Sequence, residues 1–160
     1  MTIKVGDTIP SATLYRMTND GPEGLSTDDI FAGKKVAMFG VPGAFTPTCS
    51  AKHLPGFVAN AEAIKAKGID TIVCVSVNDA FVMGAWGKDQ GVGDAVLLAG
   101  DGSAEFTKAT GLELDLTERG LGLRCQRFSM VVDDGVVASM NIDAAGAFKE
   151  TSAEAMLAGL

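Results

Sequence analysis

One stretch constrains the fold more than any other: an apolar run, a helix-start signal, an amphipathic helix and a β-branched run, in that order. Val36 to Val41 is a short apolar segment closed by Pro42-Gly43, and it reads as a buried strand. Thr46-Pro47 then signals a helix, with Thr46 able to cap and Pro47 suited to the first helical position. Leu54, Phe57, Val58, Ala61 and Ile64 fall on one helical face, and Gly68 ends the run. Pro55 lies inside that helix and predicts a kink. Thr71 to Val77 follows as a strand, so the whole stretch is a βαβ unit with a right-handed crossover.

The rest of the chain builds outward from that unit. Ile9 to Met17 reads as an opening strand or hairpin. A helix from Asp79 to Lys88, a strand from Ala95 to Ala99 and a helix from Ser103 to Thr110, stopped by Gly111, come next. Phe128 to Val132 and Val136 to Ile142 flank Asp133-Asp134-Gly135, a hairpin turn signal. Thr151-Ser152-Ala153-Glu154 reads as a capping box opening a last short helix. This order is that of an α/β, thioredoxin-like fold: a central mixed β-sheet flanked by helices, in a single domain over residues 1–160.

Composition narrows the function. The 160 residues carry a formal net charge of −7, which opposes any sequence-independent grip on nucleic acid or on an anionic membrane surface. No apolar stretch reaches transmembrane length, and the first ten residues lack the apolar core of a secretory signal. The three cysteines, Cys49, Cys74 and Cys125, are widely spaced, contain no C-x-x-C pair and face a single histidine, His53. That set suits neither a disulfide framework nor a metal centre, so a cytoplasmic protein with free thiols and no metal is expected.

Among the three, Cys49 has the informative position. With Thr46 as cap it is the third helical residue, inside the turn whose N–H groups lack intrahelical partners, and such a position favours a thiolate. Ionisation alone cannot make a fast nucleophile: a free thiol with a pKa near 8.5 is about 3% thiolate at pH 7, so complete ionisation gains at most roughly 30-fold. The larger share must come from groups that stabilise the negative charge developing on the atom the sulfur displaces. Thr46 can offer its hydroxyl from the same turn, Pro42 can wall the pocket, and a guanidinium must arrive from elsewhere in the chain.

The run Pro42-Gly43-Ala44-Phe45-Thr46-Pro47-Thr48-Cys49 resembles the P-x-x-x-T-x-x-C motif of peroxiredoxins. Further blocks look like the type II subgroup, sometimes called peroxiredoxin five: His53-Leu54-Pro55-Gly56-Phe57, Ser76-Val77-Asn78-Asp79-Ala80-Phe81, Ala85-Trp86-Gly87 and Arg127-Phe128-Ser129-Met130-Val131-Val132. The resemblance implies a thioredoxin-like fold with peroxiredoxin-type insertions and an enzyme that reduces hydrogen peroxide and alkyl hydroperoxides without metal, haem or flavin. It implies that Cys49 is the peroxidatic cysteine, that Thr46 and Arg127 bind the peroxide and thiolate, and that Pro42 shields the pocket. Arg127 is preferred over its neighbour Arg124 on the same ground. A homodimer with contacts near Phe45 and Trp86 is also implied.

Cys74, in Val73-Cys74-Val75, reads first as a small packed hydrophobe. Some type II members, notably plant ones, carry a second cysteine here, which makes Cys74 the candidate resolving thiol. Cys125 reads as a loop residue with no assigned role, and His53, one helical turn beyond Cys49, as a structural residue or a support behind the site. Animal-type relatives carry a resolving cysteine beside the last helix, whereas Ala147 to Ser152 has none and Thr151 takes its place. A one-cysteine cycle is therefore expected, with the sulfenic acid of Cys49 reduced by glutathione with glutaredoxin, or by thioredoxin. The rival readings are a peroxide-sensing redox protein or holdase with little turnover, a thiol–disulfide oxidoreductase disfavoured by the absent C-x-x-C, and a Cys-His hydrolase that lacks an orienting group.

Overall fold

The computed structural model describes residues 1–160. Three parallel strands form its centre: β3 (Lys35–Gly40), β4 (Thr71–Ser76) and β5 (Leu97–Gly100). An antiparallel hairpin is added on each side. β1 (Thr13–Thr18) and β2 (Gly21–Ser26) extend the β5 edge, and β8 (Phe128–Asp133) and β9 (Val136–Ile142) extend the β3 edge, for the order β2-β1-β5-β4-β3-β8-β9. The expected mixed sheet is present, and the opening segment is a hairpin whose first strand starts at Thr13 rather than Ile9.

Both faces of the sheet are covered, which is why β3 and β4 are apolar without alternation. One face carries Ala37, Phe39, Ile72 and Cys74 beneath α2 (Leu54–Ala59), α3 (Ala61–Ala66), α4 (Ala80–Asp89) and α6 (Ala153–Gly159). The other carries Val36, Met38, Val73 and Val75 against α1 (Thr27–Phe31) and α5 (Glu105–Thr110). Alternate residues of each strand thus serve two separate cores.

Several local expectations need correction. The helix does begin at Pro47, but its first turns widen into a π-turn at Cys49–His53, where the Leu54 N–H donates to the Cys49 carbonyl. Pro55 has no N–H and its ring crowds the carbonyl four residues back, so the expected kink takes the form of this wide turn. Asn60 then splits the helix, its side-chain amide donating to the Gly56 carbonyl at 2.8 Å. At the last helix the cap is Ser152, which accepts from the Ala155 N–H, because the Thr151 side chain is committed to Asp143. The brief α1 and the ribbon of β6 (Glu113–Leu116) and β7 (Gly122–Cys125) went unforeseen, since both strands are short and only partly buried.

The topology brings two distant segments to one end of the sheet. β3 runs out at Gly40, the loop 41–46 follows, and the helix carrying Cys49 begins beyond it. β8 is antiparallel to β3 with Phe128 paired to Gly40, so Arg127 lies at the carboxyl end of β3. The pairing needs glycine at 40: a Cβ there would sit 2.1 Å from the Phe128 ring. Open α/β sheets commonly hold their ligands at this end of the strands.

Candidate active site

Cys49 is fully buried, and its sulfur accepts a hydrogen bond from Arg127 Nη2 at 3.2 Å. Arg127 is itself 9% exposed and has no carboxylate partner; the only ion pairs in the molecule are Lys4–Asp7 and Arg16–Glu23. A buried guanidinium without a counter-ion is costly unless an anion joins it, and the nearest group able to become one is the Cys49 thiol. The expected pairing of a helix-start cysteine with a strand-start arginine is therefore realised in the geometry.

The other guanidinium Nη1 lies 2.8 Å from His53 Nδ1. His53 is one turn along from Cys49, and the wide turn leaves both side chains on the side that faces Arg127. The imidazole is fully buried, with Nε2 2.9 Å from the Thr151 carbonyl. Burial and the adjacent guanidinium push its pKa down to about 3, against the Thr151 carbonyl, which favours the protonated ring. Three aromatic rings surround it at centroid distances of 4.8 Å (Phe39), 5.6 Å (Phe57) and 5.0 Å (Phe148). The sequence suggests only a structural or supporting role for His53, and its spacing of four from Cys49 is the signal that places it on the same side of the helix.

Thr46 does not cap with its side chain. Its hydroxyl donates to the Gly43 carbonyl at 2.6 Å, while its backbone carbonyl accepts from the Ser50 N–H. With the proton so committed, the hydroxyl oxygen is left as an acceptor, where a donor toward the peroxide was expected. Ser50 is tied from the far side, its hydroxyl accepting from the Trp86 indole N–H at 3.0 Å. Trp86 is fully buried, so this ring is unavailable as a contact for another chain, whereas Phe45 is 53% exposed.

Pro42 and Arg127 both line a cavity of about 40 Å³ that also touches Leu114, Gln126 and the start of the loop after β9. Space of that order accommodates a molecule the size of water or hydrogen peroxide. The largest groove, about 880 Å³, lies elsewhere, between the ends of β1 and α4, and contains none of these residues. Arg124, the rival arginine, instead bonds the Leu121 carbonyl at 2.8 Å and the Pro42 carbonyl at 3.3 Å, and so braces the loop from outside.

The remaining cysteines are buried and free. Cys74 is paired with Phe39 across β3 and β4, in the same core as Cys49, and burial pushes its thiol well above the ordinary range. Cys125 is not a loop residue: it closes β7 and packs in the opposite core, where burial likewise raises its thiol. No cluster of three His, Cys, Asp or Glu side chains that could hold a metal is present, and no helix is long and apolar enough to cross a membrane.

Known proteins resemble this chain over nearly its whole length. The Redoxin family model matches residues 4–157. The chain is 51% identical over 162 residues to chloroplastic Peroxiredoxin-2E of Arabidopsis thaliana, covering 99% of this chain and 69% of that one. It is 50% identical over 159 residues to Peroxiredoxin-2C of the same plant, covering 99% and 98%. Reduced Prx3 of Vibrio vulnificus, solved in complex with hydrogen peroxide, superposes with a TM-score of 0.95 at 50% identity, over 99% of both chains.

Proposed function

This chain belongs to the peroxiredoxin family as a type II member and is a thiol-dependent peroxidase, and on that premise we propose that Cys49 attacks the peroxide with Arg127 as its electrostatic partner. The observation that carries the assignment is the buried, carboxylate-free Arg127 guanidinium 3.2 Å from the Cys49 sulfur. The thiolate sulfur bonds to one peroxide oxygen as the O–O bond breaks. The bonding pair leaves on the other oxygen, which takes a proton to become water or an alcohol, and the sulfur is left as sulfenic acid. Positive charge held in a dry site stabilises the negative charge that builds on the leaving oxygen.

Thr46, with its proton on Gly43, accepts the hydrogen of the bound peroxide and fixes its approach. Pro42 shields the site beside Arg127, with which it lines the same small cavity. The sulfenic acid then condenses with an external thiol, releasing water, and a second thiol breaks the mixed disulfide. Glutathione with glutaredoxin, or thioredoxin, is the reductant class, and the three free thiols suit a reducing compartment such as the cytoplasm. Two chains pair through the surfaces around Phe45, an exposed aromatic side chain, and around Trp86.

Peroxide consumption by variants tests the assignment. Cys49→Ser abolishes turnover with the fold intact. Arg127→Gln slows the reaction with peroxide more than alkylation by a neutral reagent such as iodoacetamide. Residual turnover in Cys49→Ser removes Cys49 as the nucleophile, and equal slowing in Arg127→Gln confines Arg127 to thiolate stabilisation.

A further inference from the structure

A buried arginine that must present its charge to a reacting sulfur needs an anchor that does not cancel that charge. In this site Nη1 of Arg127 is 2.8 Å from His53 Nδ1 and Nη2 is 3.2 Å from the Cys49 sulfur, so one planar group bridges the two side chains. The Thr151 carbonyl 2.9 Å from Nε2 can only accept, which assigns the ring proton to Nε2 and leaves Nδ1 as a bare acceptor. Thr151 is fixed in turn by Asp143, whose carboxylate accepts from the Thr151 hydroxyl at 2.7 Å and its N–H at 3.3 Å. Asp143 N–H also donates to the Arg127 carbonyl at 3.0 Å, so the same residue steadies both ends of the chain of contacts. Phe39, Phe57 and Phe148 keep the ring from rotating.

We propose that His53 is a positioning residue: as a neutral acceptor it holds one guanidinium nitrogen, turns the other toward Cys49, and leaves the full charge of Arg127 for the sulfur and the peroxide oxygens. A carboxylate at position 53 would hold the guanidinium as firmly but would neutralise it. A protonated imidazole could not accept at Nδ1 at all. The inference rests on the roles of Cys49 and Arg127 given above.

The side-chain oxygen of Asn reaches about where Nδ1 sits, and the amide of Gln about where Nε2 sits, so the two variants separate the Arg127 contact from the Thr151 contact. Reduced full-length enzyme is mixed with hydrogen peroxide in single turnover, and Cys49 alkylation by iodoacetamide is followed in parallel. His53→Leu lowers the peroxide rate constant about fivefold or more, with a smaller effect on alkylation, and His53→Asn reacts at least about threefold faster than His53→Gln. A smaller loss in His53→Leu, equal effects on the two reactions, or no advantage of Asn over Gln overturns the proposal. Should His53→Leu fail to fold by circular dichroism, the Asn–Gln comparison decides alone. Arg127→Gln runs as the control: if it keeps the wild-type peroxide rate, the assignment of Arg127 itself fails, whereas a slow Arg127→Gln beside unaffected His53 variants overturns the positioning role only.

Discussion

The imidazole of His53 couples the site to the stability of the protein. In the unfolded chain it titrates near 6.5, and in the folded state its pKa lies at about 3, so the unfolded state binds more protons between those values. The folded pKa is depressed, so the contribution to stability is fully present above pH 6.5 and is lost as pH falls toward 3, in total on the order of 5 kcal/mol. Carboxylates hardly titrate between pH 7 and 5, where His53 alone should cost about 2 kcal/mol. Urea unfolding of wild type and His53→Gln across that window is expected to show a decline in the former that is largely absent from the latter. Parallel curves would mean that the folded imidazole keeps an ordinary pKa.

Single contacts of this kind depend on how the elements present them, and the segment after β9 illustrates the point. The turn joining β8 and β9 has Asp134 at φ 47° and Gly135 at φ 79°, the two left-handed residues that a tight hairpin matching the strand twist requires. Where β9 ends, Asp143 folds the chain back: its carboxylate accepts from the N–H groups of Lys149 and Glu150 at 2.9 and 3.0 Å and from Thr151. Burial alone would raise that carboxyl, but these donors hold it below the usual carboxylate range, so its stabilisation is present above about pH 4 and lost as pH falls through the folded value. Asp143→Asn turns one acceptor into a donor facing donors. It is expected to cost about 2 kcal/mol in urea unfolding. Hydrogen exchange should quicken at Lys149 to Thr151 while the β8–β9 pairing keeps its protection; unchanged exchange at 149–151 would show that the clasp is not what orders the segment.

Across the whole molecule the three cysteines are free and belong to different elements. Cys49 and Cys74 share the core beneath α2 but belong to a helix start and a central strand, and Cys125 packs on the far side of the sheet. Cys74 is wholly buried with its thiol pushed up, which makes it a poor attacking group while the fold is intact. One equivalent of peroxide is therefore expected to add one oxygen at Cys49, and excess peroxide to carry it on to sulfinic acid. Intact mass measured without reductant checks this. Loss of two hydrogens with a dominant Cys49–Cys74 disulfide would make the enzyme a two-cysteine peroxidase.

Local features could be read from the residues alone: the βαβ unit, the helix start that carries Cys49 and the β8–β9 turn. These follow from periodicity, capping and turn chemistry, which act over a few residues. The tertiary structure alone decided what happens between distant residues. Arg127 reaches Cys49 across 78 positions and His53 across 74, while Arg124, three residues away from Arg127, ends on the backbone of the Pro42 loop. Thr151 has the pattern of a cap and is a partner of Asp143, and Cys125 has the pattern of a loop residue and closes a strand. In each case the local pattern allowed two fates, and the side chain took the one that satisfied a buried polar group or filled a core, a choice made only once the sheet had brought its partners within reach.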